Sequence, residues 1–179
     1  MPNRTRDVVV ALLVAAGFDA SSARADERSW RSPGYVGVGG ETSVDLWFND
    51  AFVVEGGVRV KSSPVLVHAL VAQGRFIDDT VTGHYQAYRI GAEVEPCTRR
   101  GFVCGVFGLD LGYVSQRPNI DQQERRTAWL GFARAGIDVG YHHLRARLTL
   151  DLRNGHDSVT GATNEPRGAG VTATVGYAF

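Results

Sequence analysis

The chain has 179 residues, 44% of them hydrophobic, and its 19 Lys+Arg balance 19 Asp+Glu for a formal net charge of zero. That balance gives no basic footprint for nucleic acid and no acidic interaction tail. Mean hydropathy is slightly negative, and no apolar run after Phe18 reaches the roughly 20 residues of a membrane helix, which excludes a helical membrane protein but not a membrane β-barrel.

Taken in chain order, the first segment is a leader. Arg4 and Arg6 precede an apolar run from Val8 to Phe18, and Ser22-Ala23-Arg24-Ala25 leads into Asp26-Glu27. A basic region, a short apolar core and an A-x-A site make a secretory signal peptide. Residues 1–25 are expected to be cleaved after Ala25. No cysteine stands at the cut to carry a lipid. Residues 26–179 then form one domain, a size typical of a single domain.

Eight segments of period-2 alternation follow, at Gly34–Glu41, Ala51–Lys61, Val65–Gln73, His84–Glu95, Cys104–Ser115, Thr127–Tyr141, His143–Arg153 and Gly170–Phe179. Alternation marks strands with one apolar face. The connections at Glu41–Asp50, Gly74–Gly83, Gln116–Arg126 and Asn154–Ala169 are long and polar, whereas Ser62–Pro64 and Tyr141–His143 are short. Short turns at one end and long loops at the other are the pattern of an outer-membrane barrel. His142-His143 reads as a turn pair rather than as metal ligands, and no metal site or cofactor is expected. Cys97 and Cys104 tie the remaining connection, Pro96–Val103. In an exported chain they are expected to form a disulfide.

The two faces differ in chemistry. The seventh segment sets Leu144, Ala146, Leu148, Leu150 and Leu152 against His143, Arg145, Arg147, Thr149, Asp151 and Arg153. The second sets Phe52, Val54, Val58 and Val60 against Glu55, Arg59 and Lys61. The fourth sets Tyr88, Ile90, Ala92 and Val94 against Arg89, Glu93 and Glu95. The sixth sets Trp129, Ala133, Ala135, Ile137 and Val139 against Arg134 and Asp138. In the fifth, Asp110 shares a side with Val106 and Gly108. Phe52, Tyr113 and Trp129 fall near the outer strand ends, and Tyr141, Tyr177 and Phe179 near the periplasmic ends. That is a double aromatic girdle. The expected fold is therefore an all-β, eight-stranded antiparallel up-and-down transmembrane β-barrel. A soluble periplasmic ligand-binding barrel, lipocalin-like, would show the same alternation with the sides swapped.

The interior of an eight-stranded barrel has room for side chains only, and unpaired buried charges are costly. Glu55, Arg59, Arg89, Glu93, Asp110, Arg134, Asp138, Arg145, Arg147 and Asp151 are expected to pair there as a structural plug. A gated small pore is the sharper alternative.

The last nine residues, within the eighth segment, place Val171, Ala173, Val175, Tyr177 and Phe179 on one face. They resemble the C-terminal signal of bacterial outer-membrane β-barrel proteins, with Val175, Tyr177 and Phe179 as the residues read by the barrel assembly machinery. The whole of residues 26–179 resembles in architecture the small eight-stranded outer-membrane proteins, such as the OmpA transmembrane domain and OmpX. The peptidoglycan-binding domain of OmpA has no counterpart here. That resemblance implies an outer-membrane location, lipid and lipopolysaccharide as surroundings, a monomeric barrel, and a structural or surface-interaction role. Fold alone does not name the role. The chain also shares its size with the PagL-like lipid A deacylases, which carry His-x-Ser followed by Asn and a later Glu. Here His156 and Ser158 supply the pair and Glu165 the carboxylate, the minimum for acyl hydrolysis. Val159 stands where that family has Asn, so a non-enzymatic barrel is the expectation and a deacylase its alternative.

Overall fold

The computed structural model describes residues 33–43, 50–60, 63–78, 81–98, 102–119, 126–157 and 168–179. The leader expected at 1–25 lies outside them. The strands are β1 (Gly34–Ser43), β2 (Asp50–Arg59), β3 (Val65–Asp78), β4 (Val81–Val94), β5 (Val103–Pro118), β6 (Arg126–Tyr141), β7 (Leu144–Asp157) and β8 (Gly168–Ala178). Each pairs antiparallel with its sequence neighbour, and β8 pairs with β1 to close the barrel. At the seam, Gly34 N donates to Phe179 O (3.2 Å) and Phe179 N to Gly34 O (3.0 Å).

Closure decides the inside–outside question left open by alternation. The outward face carries Val54, Ile90, Leu109, Leu111, Ile137 and Leu148, all exposed, with Leu109 at 72%. The charged face turns inward. This is the reverse of a soluble barrel, whose apolar face must be the buried one. The aromatics Phe52 and Trp129 stand exposed toward one end, and Tyr141, Tyr177 and Phe179 toward the other. Tyr113 is half-buried and meets Trp129 edge-on at 5.4 Å between ring centroids.

The strands run beyond their apolar alternation at the outer end. β3 and β4 stay paired out to Asp78↔Val81, through the stretch expected as the loop Gly74–Gly83. β5 continues to Pro118 and β7 to Asp157. Outward positions there are Gln73, Arg75, His84, Gln86 and Arg117, so the outward face turns polar while the ladder persists. Period-2 hydrophobicity stops where the apolar belt ends, not where the strand ends. The inner face signals the continuation through Phe76 and Tyr85, which are buried.

His143 was expected on the inner face and is instead exposed in the turn His142–His143. A two-residue hairpin joins Tyr141 to its partner Leu144, with His142 at φ 53°. A positive φ is uncommon outside glycine, but histidine is among the residues that tolerate it. The His143 ring stacks on Tyr177 at 5.2 Å, and its Nδ1 lies 3.0 Å from Ala178 O.

Cys97 and Cys104 form the expected disulfide. They face each other across an extension of the β4–β5 ladder. The flanking bonds, Thr98 N to Val103 O (2.9 Å) and Gly105 N to Pro96 O (2.8 Å), make Cys97↔Cys104 a non-hydrogen-bonded pair. Such pairs bring their Cα atoms closest, here 3.9 Å apart.

Leu148→Arg, on the outward apolar face of the barrel wall, should destabilise the protein in a bilayer by about 2–4 kcal/mol, measured by denaturant titration in lipid vesicles. Reduction of the disulfide removes a short-loop restraint worth about 2 kcal/mol, so dithiothreitol should lower the denaturant midpoint while the strand content seen by circular dichroism in mild detergent is retained.

Candidate functional site

The barrel interior has two zones. Toward the outer end, inward residues of β2 to β6 form an apolar cluster that includes Val53, Leu70, Phe76, Tyr85, Val114, Leu130 and Phe132. Below and beside it lies a continuous set of ion pairs. Inward glycines give that set its volume. A Cβ at Gly112 would stand 2.7 Å from the Phe132 ring and 3.1 Å from Arg89 Cγ. A Cβ at Gly57 would stand 2.8 Å from the Tyr35 ring. The long side chains fill the space those positions leave.

Arg134, from β6, is the hub. Its Nε donates to Asp151 Oδ1 at 2.9 Å. Its Nη1 lies 3.5 Å from Glu55 Oε2 and 3.9 Å from Glu93 Oε2, and its Nη2 lies 3.8 Å from Asp110 Oδ2. Carboxylates from β2, β4, β5 and β7 thus converge on one guanidinium. Above it, Arg89 crosses the lumen from β4. Its Nη2 donates to both Glu41 oxygens (2.6 and 2.7 Å) and its Nη1 to Asp151 Oδ2 (3.2 Å). Its other face packs 4.0 Å from the Phe132 ring centroid, a cation–π contact in a desolvated setting.

Below the hub, Arg147 donates to Glu93 Oε1 (2.6 Å), Glu95 Oε1 (2.6 Å), Asp138 Oδ2 (3.1 Å) and Tyr35 Oη (2.7 Å). Arg145 donates to Glu95 Oε1 at 2.7 Å and to Asp138 Oδ1 at 3.1 Å. Arg59 pairs with Glu95 at the end of the barrel that carries the short turns. Thr172 donates to Asp151 (2.8 Å) and Thr174 to Glu55 (2.5 Å), filling acceptor capacity the arginines leave. Asp151, Glu93 and Glu95 each serve more than one arginine, so the pairs form one chain from Glu41 to Arg59. Buried charges survive only when paired in this way.

Of the ten residues expected inside, nine are buried and Arg59 is half-buried at one end, and each takes part in this set. The structure adds Glu41, His68, Glu95, Arg153 and Tyr35. His68 is fully enclosed, with Nε2 3.1 Å from Asp110 Oδ1 and Nδ1 3.5 Å from Glu93 Oε2. Glu95 and Arg153 carry the right parity in the sequence but stand at the ends of alternating segments. Glu41 sits where strand and loop were expected to meet. His68 gives no such signal, because Val67 and Ala69 on one side and Leu66 and Leu70 on the other make both faces of β3 apolar. Only the register of its neighbours places it. Among the described residues, no group of three His, Cys, Asp or Glu side chains is arranged to hold a metal ion.

No family model matches the chain, and no curated protein matches it. Solved structures do. Neisserial surface protein A (NspA) superposes with a TM-score of 0.67 at 12% identity, over 83% of this chain and 98% of that one. The N-terminal β-barrel domain of Pseudomonas aeruginosa OprF gives 0.59 at 15% identity, over 82% and 96%. Ail, the attachment invasion locus protein of Yersinia pestis, gives 0.53 at 14% identity, over 84% and 100%. The fold is that of the small eight-stranded outer-membrane β-barrels. Such low identities establish architecture and leave activity to the site itself.

Within that fold, the deacylase alternative rests on one strand position. His156 lies in β7 with Trp129 as its register partner. Ser158 and Glu165 lie outside the described residues. Val175, Tyr177 and Phe179, whose pattern resembles an assembly signal, are all exposed on the outward face.

Removing the hub should be costly. Arg134→Met leaves Asp151, Glu55, Glu93 and Asp110 short of positive charge and should destabilise by about 3–5 kcal/mol, read from guanidinium unfolding in detergent micelles. Arg134→Lys keeps the charge but loses the planar fork, so its midpoint should fall between wild type and Arg134→Met.

Proposed function

We propose that this chain is a non-enzymatic integral barrel of the outer membrane, a plugged scaffold that presents the connections at its outer end to the exterior. The observation that carries this reading is the polarity of the wall. An apolar belt ringed by aromatics faces outward, and the ion pairs face inward. Water cannot solvate such a belt cheaply, since exposed apolar area costs about 25 cal/mol per Å², whereas a bilayer is its natural solvent. Lipid and lipopolysaccharide are the surroundings this surface calls for. Val175, Tyr177 and Phe179 would serve as the segment read by the barrel assembly machinery. The likeness to outer-membrane barrels supports the location.

The network argues for a brace rather than a conduit. Arg89, Arg134 and Arg147 each bridge strands on different sides of the lumen, so the interior is filled by side chains that hold one another. Opening a path would require several buried pairs to part together.

The test is gel mobility of the protein from fractionated envelopes, boiled against unboiled. An outer-membrane barrel should be recovered in that fraction and should change mobility on boiling. Recovery in the soluble periplasm with no mobility change would refute the reading and return the ligand-binding alternative.

A further inference from the structure

The outward strand face is nearly free of charge. Among its described residues only Asp50, Arg75 and Arg117 are formally charged, and they lie on one rung. Asp50 pairs with Arg75, Arg75 with His84, and His84 with Arg117 across β2, β3, β4 and β5. Arg75, His84 and Arg117 are exposed. Among the described residues, all ion pairs belong to the interior, and neither Arg75 nor Arg117 joins one. Neighbouring strands lie about 4.8 Å apart, so the three basic side chains span about 10 Å of wall.

A similar ladder of chemistry descends on β3 and β4. Below the basic rung, Gln73 pairs with Gln86. Below that, Val71 pairs with Tyr88 and Tyr88 with Tyr113. The wall therefore passes from basic to amide-bearing to aromatic or apolar within four residues on β3 and on β4. Asp78 ends β3 beyond the rung, and Asp79 after it lies outside the described residues.

We propose that the β3–β4–β5 wall is a binding site for the phosphorylated headgroup of an outer-leaflet glycolipid, with Arg75 and Arg117 on its phosphates. The proposal rests on the outer-membrane reading above. Arginine forks match phosphate oxygens bidentately, and His84 sits between them as a further donor. The separation of the two arginines suits a headgroup that bears phosphate at both ends rather than a single phosphodiester. Gln73 and Gln86 lie at the level of the sugar hydroxyls and amides, and Val71, Tyr88 and Tyr113 at the start of the acyl chains. Charge complementarity selects the occupant: two arginines against the single Asp50 leave the rung net positive just above an apolar belt, where anionic lipid heads would meet it.

The test uses the folded mature barrel in detergent, titrated with bisphosphorylated lipid A and read by native mass spectrometry. Arg75→Gln/Arg117→Gln should reduce retention of lipid A about tenfold or more, in line with the contribution of two basic groups at a membrane surface. Dephosphorylated lipid A should bind wild type as weakly as lipid A binds the variant. Undiminished lipid A retention by the double variant would overturn the site. So would equal retention of the dephosphorylated probe, or equally tight phosphatidylglycerol binding with the same dependence on the two arginines. Both positions are exposed, and the boiling-dependent mobility shift confirms that the variant is folded. If the double variant lacks that shift, Arg117→Gln alone carries the test, with at least threefold weaker retention expected and unchanged retention refuting. Fractionation of the wild type reports the outer-membrane reading separately, so a barrel correctly located but indifferent to the two arginines rejects this site alone.

Discussion

Everything in this molecule depends on the convergence of carboxylates on Arg134. A lumen of eight strands offers no room for bulk water, and each buried charge must find its counter-charge across the barrel. Arg134 draws Asp151, Glu55, Glu93 and Asp110 from four different strands. Arg89 and Arg147 extend the pattern above and below. Asp151 and Asp110 lie on the strands that flank β6, but Glu55 on β2 and Glu93 on β4 lie on strands that share no backbone hydrogen bonds with it, so these last contacts resist ovalisation of the wall in a way that neighbour-to-neighbour pairing cannot. The geometry also explains the glycine-rich inner face. The long side chains and rings inside need neighbours without a Cβ, and Gly112 leaves that room for Phe132 and the stem of Arg89, as Gly57 does for Leu66 and Tyr35.

A core made of charges frees the outer face to be uniformly apolar. In a soluble domain, apolar burial inside drives folding and the surface is left polar. Here the apolar side chains of β1 to β8 point away from the lumen, and their transfer from water to lipid would supply that driving force. The interior then contributes specificity more than net stability, because desolvating ion pairs roughly cancels their attraction. The apolar cluster around Phe76, Tyr85 and Phe132 is the exception. It seals the outer half of the lumen on the β2–β6 side and keeps Arg89 dry.

Much of this was legible in the sequence because period-2 alternation is strong wherever one face meets lipid and the other meets charge. The seventh segment, with apolar and polar residues in strict alternation, declared both its strand and its inner face. The strand ends were not legible, since the outward residues Gln73, Arg75, His84 and Arg117 break the apolar pattern while the hydrogen-bond ladder continues. His68 was hidden for the opposite reason: both faces of its strand are apolar, and only pairing across β3 to β5 brings it to Asp110 and Glu93. His143 was misplaced because parity counting carries through a turn, whereas the positive φ at His142 resets the direction of the side chains. Pairings across the lumen lie beyond any one-dimensional pattern, because they depend on the register of strands far apart in the chain.

The β1–β8 seam has a kinetic consequence. Glu41 and Tyr35, on β1, reach their partners Arg89 and Arg147 only when a ring has formed around them, and that ring is completed by the bonds between Gly34 and Phe179. The two strands joined at this seam are the most distant in sequence, which makes closure the contact of highest order and an intrinsically slow event. Until it occurs, the arginines and carboxylates of the half-open sheet must remain hydrated. Dehydration of the lumen and zipping of the seam are therefore one cooperative step, and a barrel caught before it would be wet inside, pliable and open to proteolysis along β1 and β8.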